Sequence, residues 1–413
     1  MALSGHSDFM FHHLETNEDV EQYLGVIRSV FGQNSNVDVM VKKWIDHHPA
    51  MTLNDFFVIK HRDKIVACLN IIPSKWSIGG IPLKVAELAC VATLPEYRHQ
   101  GLQRILMSEY HEQITRQGCD LSAIEGIPYY YRQFGYEYAL PLGESTKIQL
   151  TKIPDYKLTY VIRPFTSNDI PRAMQLLTET QQKFYVHSLR DEEIWKMQQE
   201  TGMISEYKFE AYAVEENGKM IAYFRLNDNP ESKELLLREI TNANEPTAQS
   251  ILGFLKNLGA QRGLETLVAT ISHHELFTRY LVATGMAEQN SPYAWQIRFI
   301  DYAQILMKMK PLLEKHLASS PYSHLTEKLN FDFYRYTVLV TIENGEITDI
   351  KRLETCEDRK IRFNPLVFVQ LLFGHRSLKE LQTIYQDFTV QPTCESLIDT
   401  LFPKLPSYIH TNY

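Results

Sequence analysis

One order of elements occurs twice in this chain, and a sequence that repeats its own architecture must build two similarly wound units. The first pass opens between Phe11 and Phe31. A polar cluster, Glu15-Thr16-Asn17-Glu18-Asp19, precedes Val20, Leu24, Ile27 and Val30 at helical spacing, which predicts a short strand and a capped helix. Phe56–Ile59 and Ile65–Leu69 flank the charged turn Lys60–Lys64 as a β-hairpin. Val85–Thr93 extends the sheet until Pro95 stops it, and Leu102, Ile105, Leu106 and Tyr110 mark the buried face of a helix ending near Gly118. Leu121–Ile124 then returns as a strand beside the earlier one.

In the second pass Val161–Ile170 stands for the opening, and Ala211–Val214 pairs with Met220–Phe224 across Asn217-Gly218. Leu235–Ile240 takes the place of the Val85–Thr93 strand. A helix with Ile251, Leu252, Leu255 and Leu258 follows, then a strand at Thr266–Ile271 and the segment Phe277–Met286. A third region begins at Tyr302, with a helix to about Leu317, strands at Tyr334–Ile342 and Ile347–Leu353 around Asn344-Gly345, and helices at Pro365–Phe373 and Leu378–Gln382. The predicted class is α+β, divided into residues 1–152, 153–300 and 301–413: two tandem mixed-sheet domains and a smaller one.

A formal net charge of -8 argues against general affinity for nucleic acid or an anionic membrane and favours cationic partners such as amines. Cys68, Cys90, Cys119, Cys356 and Cys394 are scattered without Cys-x-x-Cys spacing, so neither a disulfide framework nor a zinc site is indicated. The first residues lack a basic stretch followed by an apolar one, and the apolar run Leu366–Phe373 is too short to span a bilayer. The expectation is a cytoplasmic protein with no signal peptide, no membrane span and no metal. The pairs His12-His13, His47-His48 and His273-His274 have no partner at metal-binding spacing, and His274-Glu275 lacks the second histidine of a His-Glu-x-x-His motif. They read as solvated loop residues.

The chemistry concentrates between Glu87 and Tyr136. A glycine-containing turn between a strand and a helix offers several backbone N–H groups to an anion, and the helix dipole adds to their pull. Arg98-His99-Gln100-Gly101-Leu102-Gln103 sits at such a junction and suggests a phosphate or pyrophosphate ligand. On spacing alone it is more readily a helix start with a permissive glycine.

The run Val91–Leu102, followed by Tyr131-Arg132-Gln133-Phe134-Gly135-Tyr136, resembles the GNAT superfamily of N-acetyltransferases. Arg98 and Gly101 match its Gln/Arg-x-x-Gly-x-Gly/Ala turn for the pyrophosphate of acetyl-CoA, Gln103 stands where that turn has a small residue, and Tyr131 with Gly135 match a tyrosine element of some members. The whole chain resembles the enhanced-intracellular-survival (Eis) type, which joins two acetyltransferase-like domains to a sterol-carrier-like C-terminal domain. That resemblance implies acetyl-CoA as co-substrate, held by Arg98, His99, Gln100, Gly101, Leu102 and Gln103. It implies backbone N–H groups around Cys90, Val91 and Ala92 that polarise the thioester carbonyl, and Tyr131 as general acid. It assigns the base to the α-carboxylate of Tyr413 and allows a homo-oligomer.

Tyr129 and Tyr130 compete with Tyr131 by position. Glu125, at a strand end facing the same cleft, attracts an amine, acts as a base through water, or is a surface carboxylate. Cys90 reads as an inert buried thiol and not as a nucleophile. The second copy passes through Thr241–Thr247 with neither arginine nor glycine and has Leu281 four residues before Gly285, so it is expected to be structural or substrate-shaping. The expected activity is acetyl transfer to an amine-bearing small molecule or a lysine side chain. The alternatives are a non-enzymatic small-molecule or lipid-binding protein and an enzyme using a longer acyl-CoA.

Overall fold

Thr16 and Asp19 close the start of the first helix reciprocally: Asp19 N donates to Thr16 Oγ1 at 3.1 Å and Thr16 N to Asp19 Oδ2 at 3.1 Å. The computed structural model describes residues 8–354 and 358–412. The sequence expectations for the first seven residues, Cys356 and Tyr413 therefore lie outside the described residues. Strand β1 (Phe9–His13) leads into α1 (Asn17–Phe31) and α2 (Val37–His47), then β2 (Phe56–His61), β3 (Lys64–Ile78) and β4 (Ile81–Thr93). Helix α3 (Leu102–Arg116) precedes β5 (Leu121–Ile124) and β6 (Glu137–Leu142). Phe56, Phe57, Val58 and Ile59 are all buried, because β2 has helices on both faces: α1 sets Tyr23 edge-on against Phe56, and α3 sets Tyr110 against Phe57. Each such side chain stabilises the fold by about 1.5–3 kcal/mol.

The two sheets exchange strands. The first runs β1-β2-β3-β4-β5, then the strand Tyr293–Phe299, then β6; Val186–Leu189 pairs with the outer part of β3. The second contains Thr146–Gln149 between Glu288–Gln289 and Thr266–Ala269, followed by Glu234–Ile240, Lys219–Asn229, Glu210–Glu216 and Val161–Pro164. A cut at 152 or 300 follows covalent order, whereas the pairing crosses it. The hairpin turn at Asn217 and Gly218 is as expected, with φ of 50° and 76°.

In the third region the helix expected to about Leu317 divides at Met309 into Tyr302–Lys308 and Lys310–Ala318, because Pro311 belongs in the first turn of a new helix. The strand expected from Tyr334 begins at Thr337; Tyr334 turns the chain at φ 68°. The third sheet runs Glu346–Leu353, Thr337–Glu343, Glu327–Asp332, Ile361–Arg362 and Thr389–Val390. Its interior is filled by rings: Phe363 lies 4.7 Å from Phe368 and 4.9 Å from Phe388, and Phe368 lies 5.6 Å from Phe402. This core continues into the first sheet through Trp76, Leu121 and Trp295. No helix among the described residues is long and apolar enough to cross a membrane.

Candidate active site

Strand β4 pairs in parallel with β5 only over Val85–Glu87, and beyond that the two strands part. On its other side β4 pairs Ala92 with Cys68 and Ala89 with Asn70, so Cys90 and Val91 together oppose one residue of β3. This bulge carries Cys90 at φ 52°, a conformation that costs a non-glycine residue on the order of 1 kcal/mol and turns backbone N–H groups out of the ladder. The Cys90 thiol is pushed up by burial, with Cys68 adding to it, so it stays a thiol. That agrees with its reading as inert.

Past Ala92 the chain makes a short helical turn at Pro95–Tyr97 and enters α3 through His99 at φ 64° and Gly101 at φ 76°. No side chain caps α3, so its first N–H groups, Leu102 and Gln103 among them, have no intrahelical acceptor. A Cβ placed on Gly101 would meet open space, so the left-handed backbone and not crowding accounts for glycine there. Arg98 folds back, with Nε donating to Thr93 O at 3.3 Å. Gln103 turns inward and donates from Nε2 to Ala92 O at 2.7 Å and Thr93 Oγ1 at 3.0 Å. The bulky residue where the turn usually has a small one therefore fastens helix to strand and leaves the N–H cradle open. An open cradle beside splayed strands fits the pyrophosphate and pantetheine arm of acetyl-CoA.

Tyr131 lies in a 3-10 turn, Tyr130–Phe134, and is 5% exposed, while Tyr129 is 80% exposed at φ 70° and Tyr130 is half-buried. The Tyr131 ring presses on the backbone of Gly126, where a Cβ would come within 2.4 Å of its Cδ2. Burial, reinforced by Tyr130, Tyr136 and Cys90, pushes the Tyr131 hydroxyl well above its ordinary range and keeps it protonated. The loop under it is held from the inserted strand. Gln296 Nε2 donates to Gly126 O at 2.8 Å and Ile127 O at 3.1 Å, and Tyr293 OH donates to Gly126 O at 2.9 Å.

Glu125 immediately precedes this loop and borders a cavity of about 220 Å³ between the first and second copies. Glu125 is exposed at the cavity, and the desolvation of its carboxyl there, with Glu206 nearby, raises its pKa to about 7. The readings as amine attractor, base through water and surface carboxylate all stay open. The tail closes another wall with Tyr408, His410 and Thr411. It is fastened along Val186–Leu189: Tyr408 N donates to Val186 O at 2.9 Å, and Ser188 Oγ to His410 O at 2.7 Å. Tyr413 follows directly on Asn412, whose Nδ2 donates to Leu189 O at 2.9 Å.

The second copy lacks the cradle. Its helix Glu245–Gln261 is capped by Asn244, whose Oδ1 accepts from Thr247 N at 3.1 Å, and Leu281 is core on the helix Leu276–Ala283. Of the histidines, His12 and His13 are on β1, His47 ends α2 and His48 is buried, so these four are not the solvated loop residues expected. No group of three or more metal-ligating side chains occurs among the described residues. Sequence reasoning missed Gln296, Arg238, Glu144 and Glu206. None carried a signal: Gln296 falls on the polar phase of Tyr293–Phe299, opposite to Trp295, Ile297 and Phe299, and is buried in a strand that pairs on both sides.

Residues 13–139 match the family model described as an acetyltransferase (GNAT) domain. That stretch is similar to GNAT acetyltransferase domains, which use acetyl-CoA as co-substrate. Its whole length shares the fold of solved structures of low identity. A GCN5-related N-acetyltransferase from Anabaena variabilis aligns with 18% identity, 98% of this chain, 100% of that chain and a TM-score of 0.74. A conserved protein of unknown function from Enterococcus faecalis, described as a probable N-acyltransferase, aligns with 15% identity, 98% and 99% coverage and a TM-score of 0.74. Eis1 from Mycobacterium abscessus aligns with 12% identity, 98% and 100% coverage and a TM-score of 0.67, so the chain shares the fold of that protein. No curated protein matches the sequence.

Proposed function

We propose that the protein is an N-acetyltransferase that passes an acetyl group directly from acetyl-CoA to a primary amine. One observation carries the reading: the bulge at Cys90, the open cradle at Gly101 and the buried Tyr131 all belong to the part of the first sheet where β4 and β5 separate, and Glu125 and its cavity adjoin them. Arg98, His99, Gln100, Gly101, Leu102 and Gln103 would hold the pyrophosphate, chiefly through backbone N–H groups. Bound there, the co-substrate supplies an acetyl thioester.

The N–H groups around Cys90, Val91 and Ala92 stabilise negative charge on the carbonyl oxygen. Tyr131, kept protonated by burial, donates its proton to the departing sulfur. Glu125 draws the acceptor amine into the cavity. The amine's proton goes to a carboxylate; the resemblance gives this role to Tyr413, and the course of residues 408–412 along the cavity and Val186–Leu189 supports it. The ring-filled interior of the third sheet gives no support to a lipid carrier.

The test pairs a thermal shift on adding acetyl-CoA with coenzyme A release in the presence of an amine panel. A shift with release supports the reading. Neither a shift nor release would overturn it.

A further inference from the structure

The second copy repeats the bulge that builds the first copy's site and turns it to another use. In the strand Glu234–Ile240 the pairing passes from Leu237 to Glu239, which leaves Arg238 as the extra residue, as Cys90 and Val91 are in β4. A bulge re-aims the side chain it carries. Here Arg238 joins the wall of the 220 Å³ cavity that Glu125 borders.

The guanidinium is fixed from two sides. Its Nε donates to Asn227 Oδ1 at 2.6 Å, and its plane lies 4.2 Å from the centroid of the Tyr207 ring. Nη1 and Nη2 make no hydrogen bond or ion pair among the described residues. Four carboxylates border the same cavity, yet none of them pairs with Arg238. Glu239 is committed elsewhere, to Arg190 at 2.6 Å and 3.0 Å and to Tyr223 OH at 2.7 Å. Glu206 accepts from Ser205 Oγ, and Glu125 makes no ion pair with Arg238. Elsewhere in the wall the buried Glu144 keeps Oε2 without a partner. The cavity thus presents a rigid two-pronged cation.

We infer that the acceptor is a small zwitterion, an amine that also bears a carboxylate, with Arg238 as the specificity residue that grips the carboxylate through both terminal nitrogens. The inference rests on the reading of this cavity as the acceptor site. A cavity of about 220 Å³ has room for one amino acid.

The experiment measures equilibrium binding to the full-length protein by calorimetry, using a panel of amino acids, their carboxamides and the matching amines without the carboxylate. At least one amino acid should bind about tenfold or more tightly than its carboxamide. Arg238→Gln should abolish that preference, and Arg238→Lys should restore only part of it. In turnover, the KM for that amino acid should rise about tenfold with kcat within twofold.

If no amino acid is preferred over its carboxamide in the native protein, or if Arg238→Gln weakens all three classes equally, the inference is overturned. The native comparison stands even where a variant fails to fold. A carboxylate preference in binding with no acetyl transfer would instead sink the acetyltransferase reading and leave the Arg238 site intact. Transfer to amines with no such preference would do the reverse.

Discussion

Gln296 and Gly126 are 170 residues apart in sequence, yet Gln296 Nε2 donates to Gly126 O at 2.8 Å. This bond comes from the strand the second copy contributes to the first sheet, and it fixes the floor on which Tyr131 rests. Gln296→Leu should leave Ile127 O without its donor, lower stability by about 1–3 kcal/mol and reduce kcat at least tenfold. The affinity for acetyl-CoA should be unchanged, since the cradle lies elsewhere. Denaturant melts and initial rates check it; a loss of cofactor affinity in step with kcat would mean general damage.

Gly126 has an ordinary backbone conformation, so only contact forbids a larger residue. Gly126→Ala brings a methyl to within 2.4 Å of the Tyr131 ring and must displace it. The expected variant is folded, binds acetyl-CoA normally and turns over at least tenfold more slowly. Unchanged kcat would show that the position of the ring does not matter.

Removing the hydroxyl without the ring isolates the proton donor. Tyr131→Phe should keep acetyl-CoA binding and lose about 100-fold or more in kcat, within the range of a lost general acid. Tyr129→Phe, at an exposed ring, should be near native. Equal losses in the two variants would move the acid away from Tyr131.

Glu125 gives a pH signature. A free glutamate titrates near 4.3, whereas Glu125 in the folded protein titrates at about 7. Below the lower value both states are protonated and the group has no effect on stability. As pH rises toward 7 the unfolded chain has lost a proton that the folded one retains, so stability falls, and the loss is complete above 7. Glu125→Gln should therefore raise the melting temperature at pH 8 and by much less at pH 5. If the anion draws in the acceptor, the native kcat/KM should also climb through pH 7, and the variant should lose that step. A native profile flat across pH 6–8 would remove the anion from the reaction.

Much of this site was legible because its parts are local. The hairpin around Lys60–Lys64, the spacing of Leu102, Ile105, Leu106 and Tyr110, and the Arg98-x-x-Gly101 turn each reflect neighbours a few residues apart. Helix α2 went unread: Val37, Met40, Val41 and Trp44 stand at helical spacing, but its start at Asn36, left-handed with no side-chain cap, gave no signal. The inserted strand was not legible either. Tyr293–Phe299 alternates like any half-buried strand, and alternation does not say which sheet receives it. Arg238 was hidden for a related reason: a bulge is a mismatch between two strands and cannot be read from one.

The exchange of strands sets a timetable for synthesis. β6 is complete at Leu142, but the strand between it and β5 ends at Phe299. At ordinary translation rates of 5–20 residues per second, the ribosome needs roughly 8–30 s to supply it. Through that interval the emerging first unit carries an open sheet edge, and Gly126 waits for Gln296. A ribosome halted before residue 293 would hold a chain with Tyr131 already made and the support beneath it still missing.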